Sequence, residues 1–366
     1  MRKGFLAQLR ESVGQLLVMG FEGVEADARL ERLLTELQPG GVILFARNLV
    51  DAEQAHALLA SCRQAVETTL LRCVDLEGGT VDRLRDMIGP APSAAEVAAT
   101  GNPELFRRHG RVLGEQARSL GFNVDYAPVL DLGMAASKQV LGTRTASADA
   151  LGVVDYARQF LLGLREAGVL GCGKHFPGLG SASLDSHHEL PVVEKPWRRL
   201  WEEDLVPYRL LRRTMRFVMV AHAAFPQVTG DRTPASISAK WITGILRTRI
   251  GYAGLIVVDD LEMGGVLAAG STEEVAVAAV EAGADMFLVC QHEEHVRRAY
   301  EAVLWRAQRD PKFRARVQHA AGRVRFAKSR YRLRECPPAP SQEKVEQLRR
   351  ALQRFSAEVQ QEGADL

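Results

Sequence analysis

Short apolar runs alternate with longer amphipathic segments along most of the chain. The apolar runs are strand-sized: Gln15–Phe21, Gly41–Phe45, Leu71–Asp75, Phe122–Leu130, Val169–Lys174, Phe217–Ala221, Leu255–Asp259 and Met286–Cys290. Helical periodicity fills the intervals, over Ala26–Leu37, Ala52–Thr68, Pro103–Leu120, Ala148–Ala167, Arg198–Thr214, Ala239–Arg249, Glu273–Ala282 and, after the last strand, Glu293–Gln308. Eight strand-then-helix units with connections too long for hairpins predict parallel strands joined by right-handed crossovers. The simplest closure is an α/β fold of the (β/α)8 TIM-barrel type, built as a single domain. A doubly wound open sheet shares the alternation but normally carries a glycine-rich turn after its first strand, and Met19-Gly20-Phe21-Glu22-Gly23 has only a loose version of one.

Beyond the barrel, Pro311–Ser329 reads as one more helix, Cys336-Pro337-Pro338-Ala339-Pro340 breaks the chain, and Ser341–Glu362 reads as a polar, charged helix. The expected division is a barrel domain over residues 1–330 and a C-terminal helical extension over 331–366, a proline-containing linker and charged tail. That tail is expected on the surface or partly disordered, with no part in the chemistry.

Composition then narrows the partners. Lys and Arg number 47 against 45 Asp and Glu, so the net charge of +2, without a run of like charges, leaves no footprint for nucleic acid or an anionic membrane. No apolar stretch approaches the roughly 18–20 residues of a membrane span, and the first ten residues lack the apolar core and cleavage site of a signal peptide. Five widely spaced Cys without a Cys-x-x-Cys pair fit reduced, buried thiols, so a cytoplasmic location is expected.

In such a barrel the active site forms at the C-terminal ends of the strands. Polar residues cluster there. Asp75 and then Glu77-Gly78-Gly79-Thr80-Val81-Asp82-Arg83 follow the third strand, Asp131 and later Arg144 the fourth, Lys174-His175 the fifth, His222 the sixth, and Asp259-Asp260 the seventh. The loop from Lys174 to Pro191 carries a cation, three His and two carboxylates, and its length suits a working lid rather than a plain connection. Within it, Asp185 can orient His187 and favour its protonated form, which suits a general acid. An exposed polar loop with a capping Asp is an equal reading of those two residues alone. One of Asp259 and Asp260 can serve as the nucleophile of a retaining glycosidase, although capping the next helix would also explain the pair. Both faces of that strand are apolar, so alternation does not choose between the two carboxylates. Lys174, Arg83 and Arg144, with Asp75 as acceptor, would form a polar clamp for one sugar ring.

These residues carry a family pattern. Lys174-His175-Phe176-Pro177-Gly178-Leu179-Gly180, a four-residue spacer, Asp185-Ser186-His187 and Leu190-Pro191 resemble the signature of family 3 glycoside hydrolases, and specifically the single-domain NagZ-type β-N-acetylglucosaminidases. Further landmarks are Gly40–Asn48, Ala127–Asp131, Val218–His222, Pro234–Ser238 and Asp259–Met263, so the resemblance covers roughly residues 10–330. It implies Asp259 as nucleophile and His187 as acid and base, oriented by Asp185. Lys174, His175, Asp75, Arg83 and Arg144 would grip a terminal N-acetylglucosamine. The chain departs from the family pattern at Leu179, where a loop His is usual, at Thr80, where an Arg is usual, and at Thr143 and Ala146, where an acidic residue and an aromatic one flank the equivalent of Arg144.

The resemblance implies retaining hydrolysis of terminal β-linked N-acetylglucosamine, from anhydro-muropeptides of cell-wall recycling, without metal or organic cofactor, by a monomer or weak homo-oligomer. Rival readings are a phosphorylase, a family 3 glycosidase of altered sugar specificity, a non-catalytic sugar-binding relative, and a metal-dependent hydrolase using His175, His187, His188, His222 and Asp259. The last lacks the His-x-His pair such barrels carry after the first strand, and His292 and His295 read as solvated residues at a helix start.

Overall fold

A computed structural model of the chain describes residues 2–182, 184–186, 189–331, 333 and 336–364. The strands are β1 (Leu17–Met19), β2 (Gly41–Ile43), β3 (Leu71–Val74), β4 (Leu76–Gly78), β5 (Val81–Asp82), β6 (Val124–Asp125), β7 (Leu170–Phe176), β8 (Phe217–Val220), β9 (Leu255–Asp260) and β10 (Met286–Val289). Eight of them close a barrel in the order β1-β10-β9-β8-β7-β6-β3-β2, so each of the eight expected runs supplies one barrel strand. Every neighbouring pair in it is parallel. No described helix is long and apolar enough to cross a membrane.

Pleat parity divides each strand between the barrel axis and the surrounding helices. Val18, Ile43, Leu71, Cys73, Val124, Tyr126, Leu170, Cys172, Phe217, Met219, Leu255, Val257, Met286, Leu288 and Cys290 pack together in one cluster, while Val74, Phe176, Val218, Ile256, Val258, Phe287 and Val289 belong to the other, facing the helices. The inward set is apolar up to the C-terminal rim, where the same columns continue with polar residues. Leu71 and Cys73 lead to Asp75, Leu170 and Cys172 to Lys174, and Leu255 and Val257 to Asp259.

Several features escape the apolar pattern. Helices Arg2–Gly14 and Ala94–Ala99 were not expected, and β4 and β5 form a small antiparallel hairpin where a loop was expected. The hairpin turns at Gly78 and Gly79, whose φ values of 81° and 61° are the left-handed conformation that glycine permits. A Cβ on Gly78 would lie 2.1 Å from the carbonyl oxygen of Pro92, so the hairpin is also pressed against the next segment. The helix expected over Arg198–Thr214 is two, Trp197–Glu202 and Val206–Leu211, with Pro207 in the first turn of the second, where its missing N–H costs nothing.

The tail is a helix over Gln342–Ala364 that docks on helices Ala94–Ala99 and Pro103–Ser119. Its polar sequence hides an apolar stripe at helical spacing, Leu348, Leu352, Phe355 and Val359, all buried. Phe355 stacks on His109 with ring centroids 5.6 Å apart, and Asn102 donates to the Glu362 carboxylate at 2.9 Å.

Candidate active site

A cavity of about 440 Å³ opens at the C-terminal rim of the barrel. Seven of the eight expected site residues line it: Asp75, Arg83, Arg144, Lys174, His175, Asp185 and Asp259. The eighth, His187, lies outside the described residues. Phe45, Val140, Leu141, Met219 and Met263 add apolar wall, a mixture typical of sites that take a small polar molecule with a hydrophobic face.

The clamp is wired through a residue the sequence reading passed over. Glu77, on β4, is buried and accepts two hydrogen bonds from Arg144, Nε to Oε2 at 2.8 Å and Nη2 to Oε1 at 2.9 Å. Lys174 Nζ lies 2.6 Å from Glu77 Oε1 and donates to Asp75 Oδ1 at 2.8 Å. Two cations therefore face two carboxylates in a closed, neutral cluster. Burial works to raise the pKa of Glu77, but the charges and hydrogen bonds of Arg144 and Lys174 outweigh it and hold the carboxyl below its ordinary range. Burial likewise works to lower the pKa of Lys174, and Asp75 and Glu77 more than offset it. Arg83 completes this wall: its guanidinium lies 5.7 Å from the Phe45 ring centroid, and its buried Nε has no hydrogen-bond partner among the described residues.

His175 is held by Asp131, at the end of the fourth barrel run. The ring Nδ1 and the backbone N–H of His175 both meet Asp131 Oδ2, at 2.7 and 3.2 Å, and Leu179 N–H donates to Oδ1 at 2.6 Å. With Nδ1–H spent on the carboxylate, Nε2 is the atom left for a ligand. One carboxylate thus fixes both the imidazole and the start of the long loop. An Asp directly after the apolar run Phe122–Leu130 is the signal that could have marked it. Leu179, at the departure from the family pattern, is buried and lines the cavity.

The structure separates the two adjacent carboxylates on β9. Asp259 continues the inward column, and its Oδ1 accepts the N–H of Asp260 at 2.9 Å. Burial would raise its pKa, but His175, His222, the Asp260 N–H and Lys174 together hold it below the usual value, so it is an anion at neutral pH. Asp260 Oδ1 accepts the N–H groups of Glu262 and Cys290, both at 3.1 Å, which spends its carboxylate on the strand's exit turn. Burial, with the Glu262 and Asp259 charges, pushes Asp260 up to about 7. His222, noted at its strand end and given a role only in the metal-dependent rival reading, is fully buried. Its Nε2 lies 2.9 Å from the Asp260 carbonyl, which can only accept, so Nε2 carries the proton and Nδ1 accepts from Ser236 Oγ at 2.7 Å.

The long loop meets β9 through backbone. Gly265 N–H donates to the Ser186 carbonyl at 3.0 Å. A Cβ on Gly265 would sit 2.9 Å from that same oxygen and 3.1 Å from the carbonyl oxygens of Glu189 and His222. This close seat puts Asp185 and Ser186 on the wall of the cavity that holds Asp259.

Comparison with known proteins agrees with this arrangement. Residues 8–325 match the Glycosyl hydrolase family 3 N terminal domain. The β-hexosaminidase of Bordetella pertussis is 42% identical over 260 residues, 69% of this chain and 73% of that protein. The β-hexosaminidase of Aromatoleum aromaticum is 39% identical over 322 residues, 85% of this chain and 87% of that protein. Among solved structures, a glycoside hydrolase family 3 β-N-acetylglucosaminidase from Paenibacillus superposes with a TM-score of 0.88 and 34% identity, covering 95% of this chain and 68% of that one. With the motifs at the strand ends, the closed parallel barrel and a match over most of its length, the chain belongs to glycosyl hydrolase family 3.

Proposed function

We propose that the protein is a retaining exo-β-N-acetylglucosaminidase acting on a terminal β-linked N-acetylglucosamine. The observation that carries this reading is Asp259, kept ionised at an inward strand position in a cavity of about 440 Å³, with Asp185 of the long loop in the same wall. The named activity of relatives near 40% identity supports the choice of sugar.

In this reading Asp259 attacks the anomeric carbon, forming a C1–O bond as the bond to the departing oxygen breaks, and His187, oriented by Asp185, donates the proton that oxygen needs. His187 then takes a proton from water, which displaces Asp259 from C1 and restores the starting configuration. Asp75, Lys174, His175, Arg83 and Arg144 grip the sugar hydroxyls. Arg83 Nε, buried and without a partner among the described residues, has a donor to offer a ligand oxygen. The substrate fitting this reading is an N-acetylglucosamine-bearing anhydro-muropeptide met in the cytoplasm during cell-wall recycling.

Hydrolysis of p-nitrophenyl β-sugars that differ only at C2 tests the sugar, and a strong preference for the acetamido over the hydroxyl compound is expected. Asp259→Ala tests the nucleophile. Turnover should collapse and be partly restored by azide, giving the α-glycosyl azide. Equal rates on both sugars would refute the substrate, and a β-configured azide product, or an active variant, would refute the nucleophile.

A further inference from the structure

The end of β9 and the start of the helix after β10 meet in a cluster that the sugar chemistry does not use. β9 and β10 are neighbours in the barrel, so the exit turn of one lies beside that of the other. Glu262 comes from the first turn, at the variable position of the Asp-Asp-Leu-x-Met run. His292 and His295 come from the second, three residues apart at the N-terminus of helix Glu293–Arg309, a spacing that places them on one face. Both imidazoles present Nδ1 to the same oxygen, Glu262 Oε1, each at 2.7 Å, with ring centroids 5.1 Å apart. The three donor atoms all lie within 4.8 Å of one another.

The carboxylate is the fixed member and the imidazoles are the adjustable ones. Glu262 is only 3% exposed, whereas His292 is 66% and His295 35% exposed. Backbone N–H groups of Gln291 and His292 donate to Glu262 Oε2 at 2.5 and 3.3 Å, and that of His292 also to Oε1 at 3.1 Å. A buried carboxylate locked by main-chain donors, with two imidazoles on its solvent side, is a preorganised N2O donor set. The reading of the two His as merely solvated left out Glu262, which no local spacing connects to them.

We propose that Glu262, His292 and His295 bind one divalent cation of the zinc class at the mouth of the sugar cavity. Two imidazoles and one carboxylate are the donors such ions take, with metal–ligand distances of about 2.0–2.2 Å and a fourth position left for water. Tetrahedral ligation at those distances separates ligand atoms by about 3.4 Å, so the rings need only draw back from the carboxylate, which exposed side chains can do. On binding, each neutral ring exchanges its tautomer through solvent, the proton leaving Nδ1 and one arriving at Nε2, and the Nδ1 lone pair this frees goes to the metal. Nitrogen-rich donors discriminate against magnesium and calcium, which favour all-oxygen shells. Glu262 is also part of the cavity wall, so the ion would brace the β9 and β10 exit turns beside the catalytic rim. The inference does not depend on which sugar the cavity accepts.

The test is equilibrium dialysis of the full chain against Zn(II), with bound metal measured by mass spectrometry, in the parent and in the His292→Ala/His295→Ala double variant. Neither His lines the sugar cavity, so the variant should keep its hydrolytic activity and circular dichroism. The parent should retain one zinc equivalent more than the variant, melt at higher temperature with Zn(II), and gain nothing from Mg(II). An equal number of equivalents in both proteins overturns the proposal, as does Mg(II) binding that matches Zn(II). Crystals of the parent soaked in Zn(II) give a check that needs no variant. An anomalous peak between the three side chains supports the site, and its absence at full soaking overturns it.

Discussion

Replacing Glu77 with Gln would change almost no volume and remove one negative charge from the centre of the clamp. In the native cluster Lys174 and Arg144 balance Asp75 and Glu77. In the variant the same two cations face a single carboxylate, and one buried positive charge is uncompensated. The Glu77 and Lys174 side chains are each 3% exposed, so solvent offers little relief. Breaking a buried pair from one side costs about 3–5 kcal/mol. With an unfolding entropy of about 2.1 cal/mol/K per residue, a chain of 366 residues should melt about 4–7 °C lower.

The effect has a pH signature. The pKa of Glu77 is depressed in the folded protein, so its contribution is full above the unfolded value of about 4.3 and is lost as the pH falls further towards the folded value. The melting difference between parent and Glu77→Gln should therefore be flat from about pH 5 to 8 and should narrow only in stronger acid. Hydrolysis of the p-nitrophenyl acetamido sugar reads the second consequence. A charge-assisted hydrogen bond is worth about 1.5–3 kcal/mol, so loss of the Arg144 and Lys174 anchors should lower kcat/KM roughly ten- to a hundredfold, mainly through KM. A melting temperature unchanged within a degree, or a gap that varies between pH 6 and 8, would refute the reasoning. A melting loss with KM unchanged would show that Glu77 holds the fold but not the clamp.

Two further perturbations probe parts remote from the sugar. Lys328, on helix Pro311–Arg330, is buried under the barrel with Nζ donating to Gln15 Oε1 at 2.7 Å, and burial pushes its pKa down to about 7. A depressed lysine contributes its stability above the unfolded pKa of about 10.4 and loses it as pH falls through the folded value. Lys328→Met, which conserves volume, should therefore gain on the parent in thermal melts as the pH is lowered from about 10 to 7, and a pH-independent difference would contradict this. Phe355→Ala should cost about 3–5 kcal/mol in urea unfolding and leave kcat/KM unchanged at 25 °C, because the tail helix adds no residue to the cavity wall. An early kinetic defect in the folded variant would give the tail a role in the site.

The order of elements was legible because most barrel strands are short, predominantly apolar runs, which stand out against amphipathic helices even without alternation and even where Arg72 or Asp125 interrupts them. The same property hid the orientation of the site. With Ile256 and Val258 as apolar as Leu255 and Val257, composition could not say which of Asp259 and Asp260 points inward; closure of the barrel decides it, by assigning Leu255 and Val257 to the axial cluster. Asp75 and Lys174 were recognisable as strand-end residues for the same reason. Glu77 was not, because its burial depends on a hairpin of two very short strands that leaves no periodic trace. Glu262 with His292 and His295 was out of reach in a different way, since 30 residues separate the carboxylate from the nearer imidazole and only the neighbouring of β9 and β10 joins them.

The hairpin carries a consequence for the clamp. Gly78 and Gly79 allow the left-handed turn, the turn pairs β5 back against β4, and β4 holds the Glu77 carboxylate against Lys174 and Arg144. Without it, two long cations would face Asp75 alone, and their mutual repulsion would favour splayed conformations over a common grip. In the proposed function, the geometry with which the cations would meet the sugar is thus set by an acid that need not touch it. For this reason a charge-removing change at Glu77 and a charge-preserving one, Glu77→Asp, should separate in the same assays. The shorter side chain keeps the balance of charge but cannot span both partners at 2.6–2.9 Å. It should recover most of the melting temperature while leaving KM high, and recovery of both together would mean that charge alone, rather than reach, organises the clamp.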